Sequence, residues 1–216
     1  MAKLIFRGIY KTEEQLPKAD LPHNSVKFKE PATMENFILI SLLFTIPSML
    51  LIGLFLYASY LLHGELIVRY PDLADLSFSR IFIPLVLPFA PLIPHELLHV
   101  AGLGQGVKAE LFLAPKYLTA FIVSITPIAK NRLIFMSFLP SFVLGWIPLL
   151  VWVILPFSEI YSTYLLVFSV ISILVSCGDY LNIFNAIRQM PKGSFHQNLG
   201  LNSYWHIPEA TPQPMA

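Results

Sequence analysis

The sequence predicts an all-α membrane protein of about four transmembrane helices, with a short β-hairpin-like segment near the active site. Three observations lead there. Of the 216 residues, 56% are hydrophobic and 12% charged, against about 25% charged in soluble domains. Mean hydropathy is +0.67. The apolar residues gather into four runs, at 36–62, 81–104, 133–156 and 160–184, each long enough to supply the roughly 20 residues that cross a hydrocarbon core. Fourteen Lys and Arg against 13 Asp and Glu leave a net charge of +1. That excludes a nucleic-acid surface built on basic excess. The single cysteine, Cys177, excludes an internal disulfide framework and a Cys-rich metal site.

Residues 1–35 are polar. Lys3 and Arg7 are followed by Lys11, Glu13 and Glu14 rather than an apolar core, so the segment is no secretory signal. It reads as a cytoplasmic tail in which 3–10 can pair as a short strand before Pro17, Pro22 and Pro31 interrupt. The first run, 36–62, carries no charge, and Pro47 is placed to kink it. The second carries Pro84, Pro88, Pro91 and Pro94. The stretch before Pro94 reads as irregular or kinked and the stretch after it as helix, since a first turn tolerates proline. Residues 108–116 and 117–126, rich in Thr, Val, Ile, Phe and Tyr around Pro115-Lys116, read as two short strands. Unpaired strands cannot face lipid, so this hairpin belongs in protein or a water-filled cleft. The third run contains Pro140 and Pro148. Residues 36–190 thus form one membrane domain, and 191–216 a polar tail with a Pro-rich, disordered end. Lys and Arg number six in 1–35, two in 63–80, four in 105–132, none in 157–159 and two in 185–216. That alternation puts both termini and 105–132 in the cytoplasm.

Within the four runs the ionisable or strong metal-binding residues are His95, Glu96, His99 and Asp179, with Cys177 beside the last. An ionisable group at membrane depth is costly and faces a partner or water. His95-Glu96-Leu97-Leu98-His99 is an H-E-x-x-H motif. On a helix its two imidazoles share a face and can reach one ion. Glu96, rotated by about 100°, addresses a water on that ion. His99 and Asp179 each precede the end of their run by five residues, or roughly 8 Å, on runs that cross in the same direction. Asp179 therefore reads as the third ligand or, failing that, as a counter-ion; Glu110, Cys177 and the tail histidines are next in line. A polar cluster that merely glues helices is the plainer reading of all four groups. Phe121 and Val123 are candidate substrate-pairing positions in the strand-like segment. Asn182, one turn beyond Asp179, can bond a substrate backbone or another helix. Cys177 reads as a small core residue, His63 as lying on the opposite surface, His196 and His206 as surface residues of the tail, and Gly102, Gly104 and Gly106 as a helix end.

The four runs, the motif Pro94 to His99, the β-like segment after it and Ser176-Cys177-Gly178-Asp179-Tyr180 together resemble a bacterial family of zincin peptidases once filed as a domain of unknown function. That family is similar to the site-2 proteases, which are intramembrane zinc metalloproteases. The resemblance spans about residues 35–190, and 3–31 fits the same group. It implies a Zn2+ cofactor with His95, His99 and Asp179 as ligands, and Glu96 as the catalytic carboxylate. The chain departs from the site-2 proteases in one respect: they place glycine after the ligand Asp, whereas here Gly178 precedes it and Tyr180 follows. The function expected is an intramembrane or membrane-interface zinc metalloendopeptidase, a multi-pass protein of the bacterial cytoplasmic membrane. Its partners are the lipid bilayer and a membrane-anchored protein or peptide substrate, whose cleaved segment adds to the strand pair near 109–125. The alternative is a non-proteolytic metal- or proton-binding membrane protein, transporter-like or a client-binding pseudoprotease. Retention of Glu96, and the lack of a repeat or second charged site, weigh against it.

Overall fold

Two of the apolar runs form long rods in the computed structural model, which describes residues 2–64, 83, 85–155 and 159–208. The first rod, 34–63, joins α1 (Met34–Leu43) to α2 (Ile46–His63). Its break at Phe44 and Thr45 falls just before Pro47, in the first turn of α2, which lacks the N–H to continue the ladder. The other rod, 130–154, comprises α4 (Lys130–Pro140), a π-helical turn (Ser141–Trp146) and α5 (Ile147–Ile154). His63 Nε2 lies 2.9 Å from the Val153 carbonyl and ties the ends of the two rods together.

The other two runs depart from the expectation of four spans. Within 81–104 the structure has a 3-10 turn (Leu87–Phe89) and α3 (Leu92–Leu103). Twelve helical residues reach about 18 Å, short of a hydrocarbon core. The prolines explain this: Pro88, Pro91 and Pro94 have no N–H to donate, so a continuous helical ladder starts only at α3. The fourth run is α6 (Glu159–Val175) and α7 (Cys177–Gln189), bent by 42° at Ser176. Among the described residues, two helices, or three if the bent pair counts as one, are long and apolar enough to cross a membrane.

The chain is mainly helical, and its strands extend beyond the expected hairpin into two small sheets. β1 (Lys3–Ile9) runs parallel to β3 (Lys108–Ala114), which pairs antiparallel with β4 (Thr119–Val123). The second sheet has the order β2-β7-β6-β5, from Val26–Lys27, Asn202–His206, Phe195–Leu199 and Ile128–Ala129. The hairpin expected at 108–126 is thus present as β3 and β4, and its neighbours come from both ends of the chain. Arg7 closes the β1–β3 contact through a two-pronged ion pair to Glu110, at 2.7 and 2.9 Å. The Pro-rich end 209–216, and the loop at 65–82, lie outside the described residues.

One apolar cluster, including Phe28, Leu103, Ala109, Leu133 and Met190, joins the end of α3 to β3, α4 and the end of α7. Another, including Ile52, Leu149, Trp152 and Ile173, holds α2, α5 and α6 together. The outer surface of the first rod leaves Leu39, Leu43, Leu50, Leu54 and Leu61 exposed. A patch of that kind suits lipid, not water. Inside the bundle, Ser41, Ser169, Ser172 and Ser176 donate to carbonyls four residues back, keeping small side chains satisfied where helices approach.

Candidate metal centre and its cavity

α3 presents His95 and His99 on one buried face, as their spacing requires. Gly102 permits the next step. A Cβ there would lie 2.7 Å from the Met136 Cβ, so α3 and α4 touch backbone to backbone. This brings the Met136 carbonyl to 2.9 Å from His99 Nδ1. With Nδ1–H donating to that carbonyl, His99 turns its Nε2 lone pair inward. Arg132 Nε donates to the Leu103 carbonyl and caps the other end of α3.

Asp179 arrives from α7. The bend at Ser176 begins a new helix, and Asp179 falls in its first turn, where a carboxylate meets the positive end of the helix dipole. Gly178 precedes it because α1 passes close: a Cβ would stand 3.2 Å from the Phe37 ring.

The three side chains converge. His95 Nε2 lies 3.1 Å from His99 Nε2 and 3.0 Å from Asp179 Oδ2, and His99 Nε2 lies 3.2 Å from Asp179 Oδ1. All three ligand atoms fall within 4.8 Å of one another. Two imidazole Nε2 atoms cannot both carry protons toward each other at that distance. Asp179 Oδ2, outside hydrogen-bond geometry with His95, has no hydrogen-bond partner, and neither has His95 Nδ1. Ligands about 2.0–2.1 Å from a tetrahedral ion stand roughly 3.3 Å apart. The donor set and its spacing therefore fit one zinc ion, and the group can hold a metal.

These residues wall a cavity of about 640 Å3, which Glu96, Cys177 and Asn182 also line. Glu96 is 5% exposed. Cys177 is half-buried and outside the converging group. Glu110 is engaged by Arg7 instead.

β4 forms one wall, and Phe121 and Val123 line the cavity there. Phe121 stacks on Phe112 at 5.6 Å and meets Tyr10 edge-on, while Val123 is buried in the same cluster as Phe112 and Leu16. Their peptide groups are committed as well. The carbonyls of Val107 and Leu113 accept from Lys3 and Tyr10, so the odd-numbered residues of this strand face β1 and the even-numbered ones face β4. Phe112 pairs with Phe121 and Glu110 with Val123, which puts the peptide groups of Phe121 and Val123 in that ladder. Ala120 and Ile122, one residue out of phase, turn theirs to the other edge. That edge has no strand partner among the described residues, and both residues line the cavity.

The tail histidines call for a correction. His196 and His206 are 6% and 7% exposed, because β6 and β7 fold the tail back onto the protein. His196 lines the cavity. Phe195-His196-Gln197-Asn198-Leu199 has three polar residues in a row and no apolar–polar alternation, so nothing in the segment marks a buried strand.

No match to the chain was found among curated proteins or among solved structures. A family model does match, over residues 89–195, which hold the H-E-x-x-H helix, β3, β4 and Asp179. Through these residues the chain matches the family described as "Putative zincin peptidase".

Proposed function

We propose that this protein is a zinc metalloendopeptidase that hydrolyses peptide bonds of membrane-associated proteins within, or at the surface of, the bilayer. The observation that carries the reading is the convergence of His95 Nε2, His99 Nε2 and the Asp179 carboxylate, beside Glu96 in one cavity.

His95, His99 and Asp179 are the ligands, and Glu96 is the catalytic carboxylate. Zinc held there supplies the Lewis acidity that activates water and polarises the scissile carbonyl at neutral pH. Glu96 accepts the proton of the attacking water and passes it to the leaving amine, as general base and then general acid. The Met136 carbonyl keeps His99 in the tautomer and orientation that ligation needs. The open edge of β4 takes the substrate as an added extended strand through Ala120 and Ile122, the backbone form a peptidase can attack. Asn182 contributes a further polar contact from α7. The apolar helices anchor the enzyme beside membrane-anchored substrates. The distribution of Lys and Arg favours both termini on the cytoplasmic side of a bacterial membrane.

The test is metal analysis of the protein purified in detergent, coupled to cleavage of a membrane-anchored reporter. One zinc per chain, activity lost on chelation and activity restored by zinc are expected. Full cleavage by metal-stripped protein would overturn the reading.

A further inference from the structure

One wall of the cavity is a face of the second sheet, and it carries polar side chains. The register sets His196 opposite Trp205 and Asn198 opposite Ser203, with Ile128 opposite His196 on the other side. Side chains alternate along a strand, so these five residues share one face of the second sheet. Ile128, His196, Asn198 and Ser203 line the cavity that holds the metal group. Inward strand faces normally carry apolar side chains. This one offers an imidazole, an amide and a hydroxyl. Glu30 holds the face in place by accepting from the Ser203 N–H at 2.6 Å.

His196 is the residue that packing does not explain. Its ring leans on Phe28 at 5.7 Å, a contact that a phenylalanine would make equally well. Its Nδ1 is fully buried and has no hydrogen-bond partner. Burial pushes its pKa down to about 4, so the ring is neutral and keeps one donor and one acceptor. A buried polar atom without a partner is uncommon in a native fold and calls for a specific cause.

We propose that His196, with Asn198 beside it on the same strand face, is a substrate-binding residue that hydrogen-bonds an extended polypeptide lying across the cavity. A neutral imidazole and an amide can each donate and accept, as a peptide backbone does. The ligand class is therefore polypeptide backbone or a neutral polar side chain, not an ion. The subsite is made by β6 and β7 and is separate from the three metal-group residues and from the open edge of β4. The proposal rests on the peptidase reading for the identity of its ligand, although the unpartnered Nδ1 of His196 is observed independently of it.

The experiment compares the full-length, zinc-loaded protein with its His196→Phe and His196→Gln variants in detergent. It measures zinc content, thermal unfolding, binding of a fluorescent random dodecapeptide pool, and turnover of that pool. For His196→Phe the zinc content stays at the parental level and the unfolding temperature is equal or higher, because an unsatisfied group has been removed. Peptide binding weakens, and KM rises, by about ten-fold, the scale of one lost hydrogen bond, while kcat moves far less. His196→Gln, which retains a donor and an acceptor, recovers part of the binding. A lowered unfolding temperature with unchanged binding would make His196 a structural residue and overturn the proposal. If the parent cleaves neither the pool nor the membrane-anchored reporter, the peptidase reading has failed. The binding arm still decides the subsite: parent and His196→Phe binding the pool equally overturns it.

Discussion

Proline at Ile122 and proline at Phe121 should have opposite consequences, although the two residues are neighbours. Phe121 directs its peptide group to β3, and Ile122 directs its own to the open edge. Ile122→Pro leaves the β3–β4 ladder intact and removes a donor that a substrate strand would use. One such bond is worth about 0.5–1.5 kcal/mol, so kcat/KM should fall roughly two- to twelve-fold. Ile122 also packs against the cluster around Leu103 and Ile128. Ile122→Ala is therefore the control that removes packing but keeps the donor. Phe121→Pro instead breaks a bond of the folded protein and strands an acceptor on β3, costing about 1–3 kcal/mol beyond Phe121→Ala. Phe121→Ala accounts for the lost contacts with Phe112 and Tyr10. The assay pairs denaturant unfolding in detergent with kcat/KM on a membrane-anchored reporter at equal zinc content. Two results would refute the reasoning: Ile122→Pro turning over as fast as Ile122→Ala, or Phe121→Pro being as stable as Phe121→Ala.

Glu96→Gln should keep the fold and the zinc while lowering kcat by at least about 100-fold, the scale of a missing general base; parental turnover in purified variant would exclude that role. Asp179→Ala should lower zinc occupancy sharply, since it leaves two imidazoles, whereas Cys177→Ala should not; equilibrium dialysis against zinc separates them, and a full zinc equivalent on Asp179→Ala would place the third ligand elsewhere. Stability should fall on acidification between pH 6.5 and about 4. Over that window the unfolded chain protonates His196 and the folded chain, with its pKa held down to about 4, does not. The contribution is complete above pH 6.5 and lost as pH falls, by at most roughly 3 kcal/mol. His196→Phe should show a shallower acid limb in unfolding measurements, and identical limbs would refute this.

The local features of the metal centre were legible in the sequence. His95 and His99 share a helix face because helical periodicity depends only on neighbours in the chain. Asp179 stood out because a lone carboxylate in an apolar run needs a partner, and the structure brings its oxygens to 3.0 and 3.2 Å from the two imidazoles. The hairpin at 108–126 was legible from its β-formers around a Pro-Lys turn. The break before Pro47 follows from the missing N–H of proline.

What the sequence left open depends on segments far apart in the chain. β1 is mostly exposed and carries no strong alternation, so its pairing with β3, about a hundred residues on, was not written in either strand. The same holds for β6 and β7, whose polar residues suggested a tail but fold over the cavity and bury His196. The bend at Ser176 turns one expected span into two helices and aims Asp179 at α3; no proline marks it. Which peptide groups of β4 stay open follows from the register of a three-stranded sheet, and a shift of one residue would exchange them. Composition and periodicity are local sums over neighbouring residues. Register, helix bends and the burial of a polar face are settled by the packing of elements against one another, and only the tertiary structure contains that.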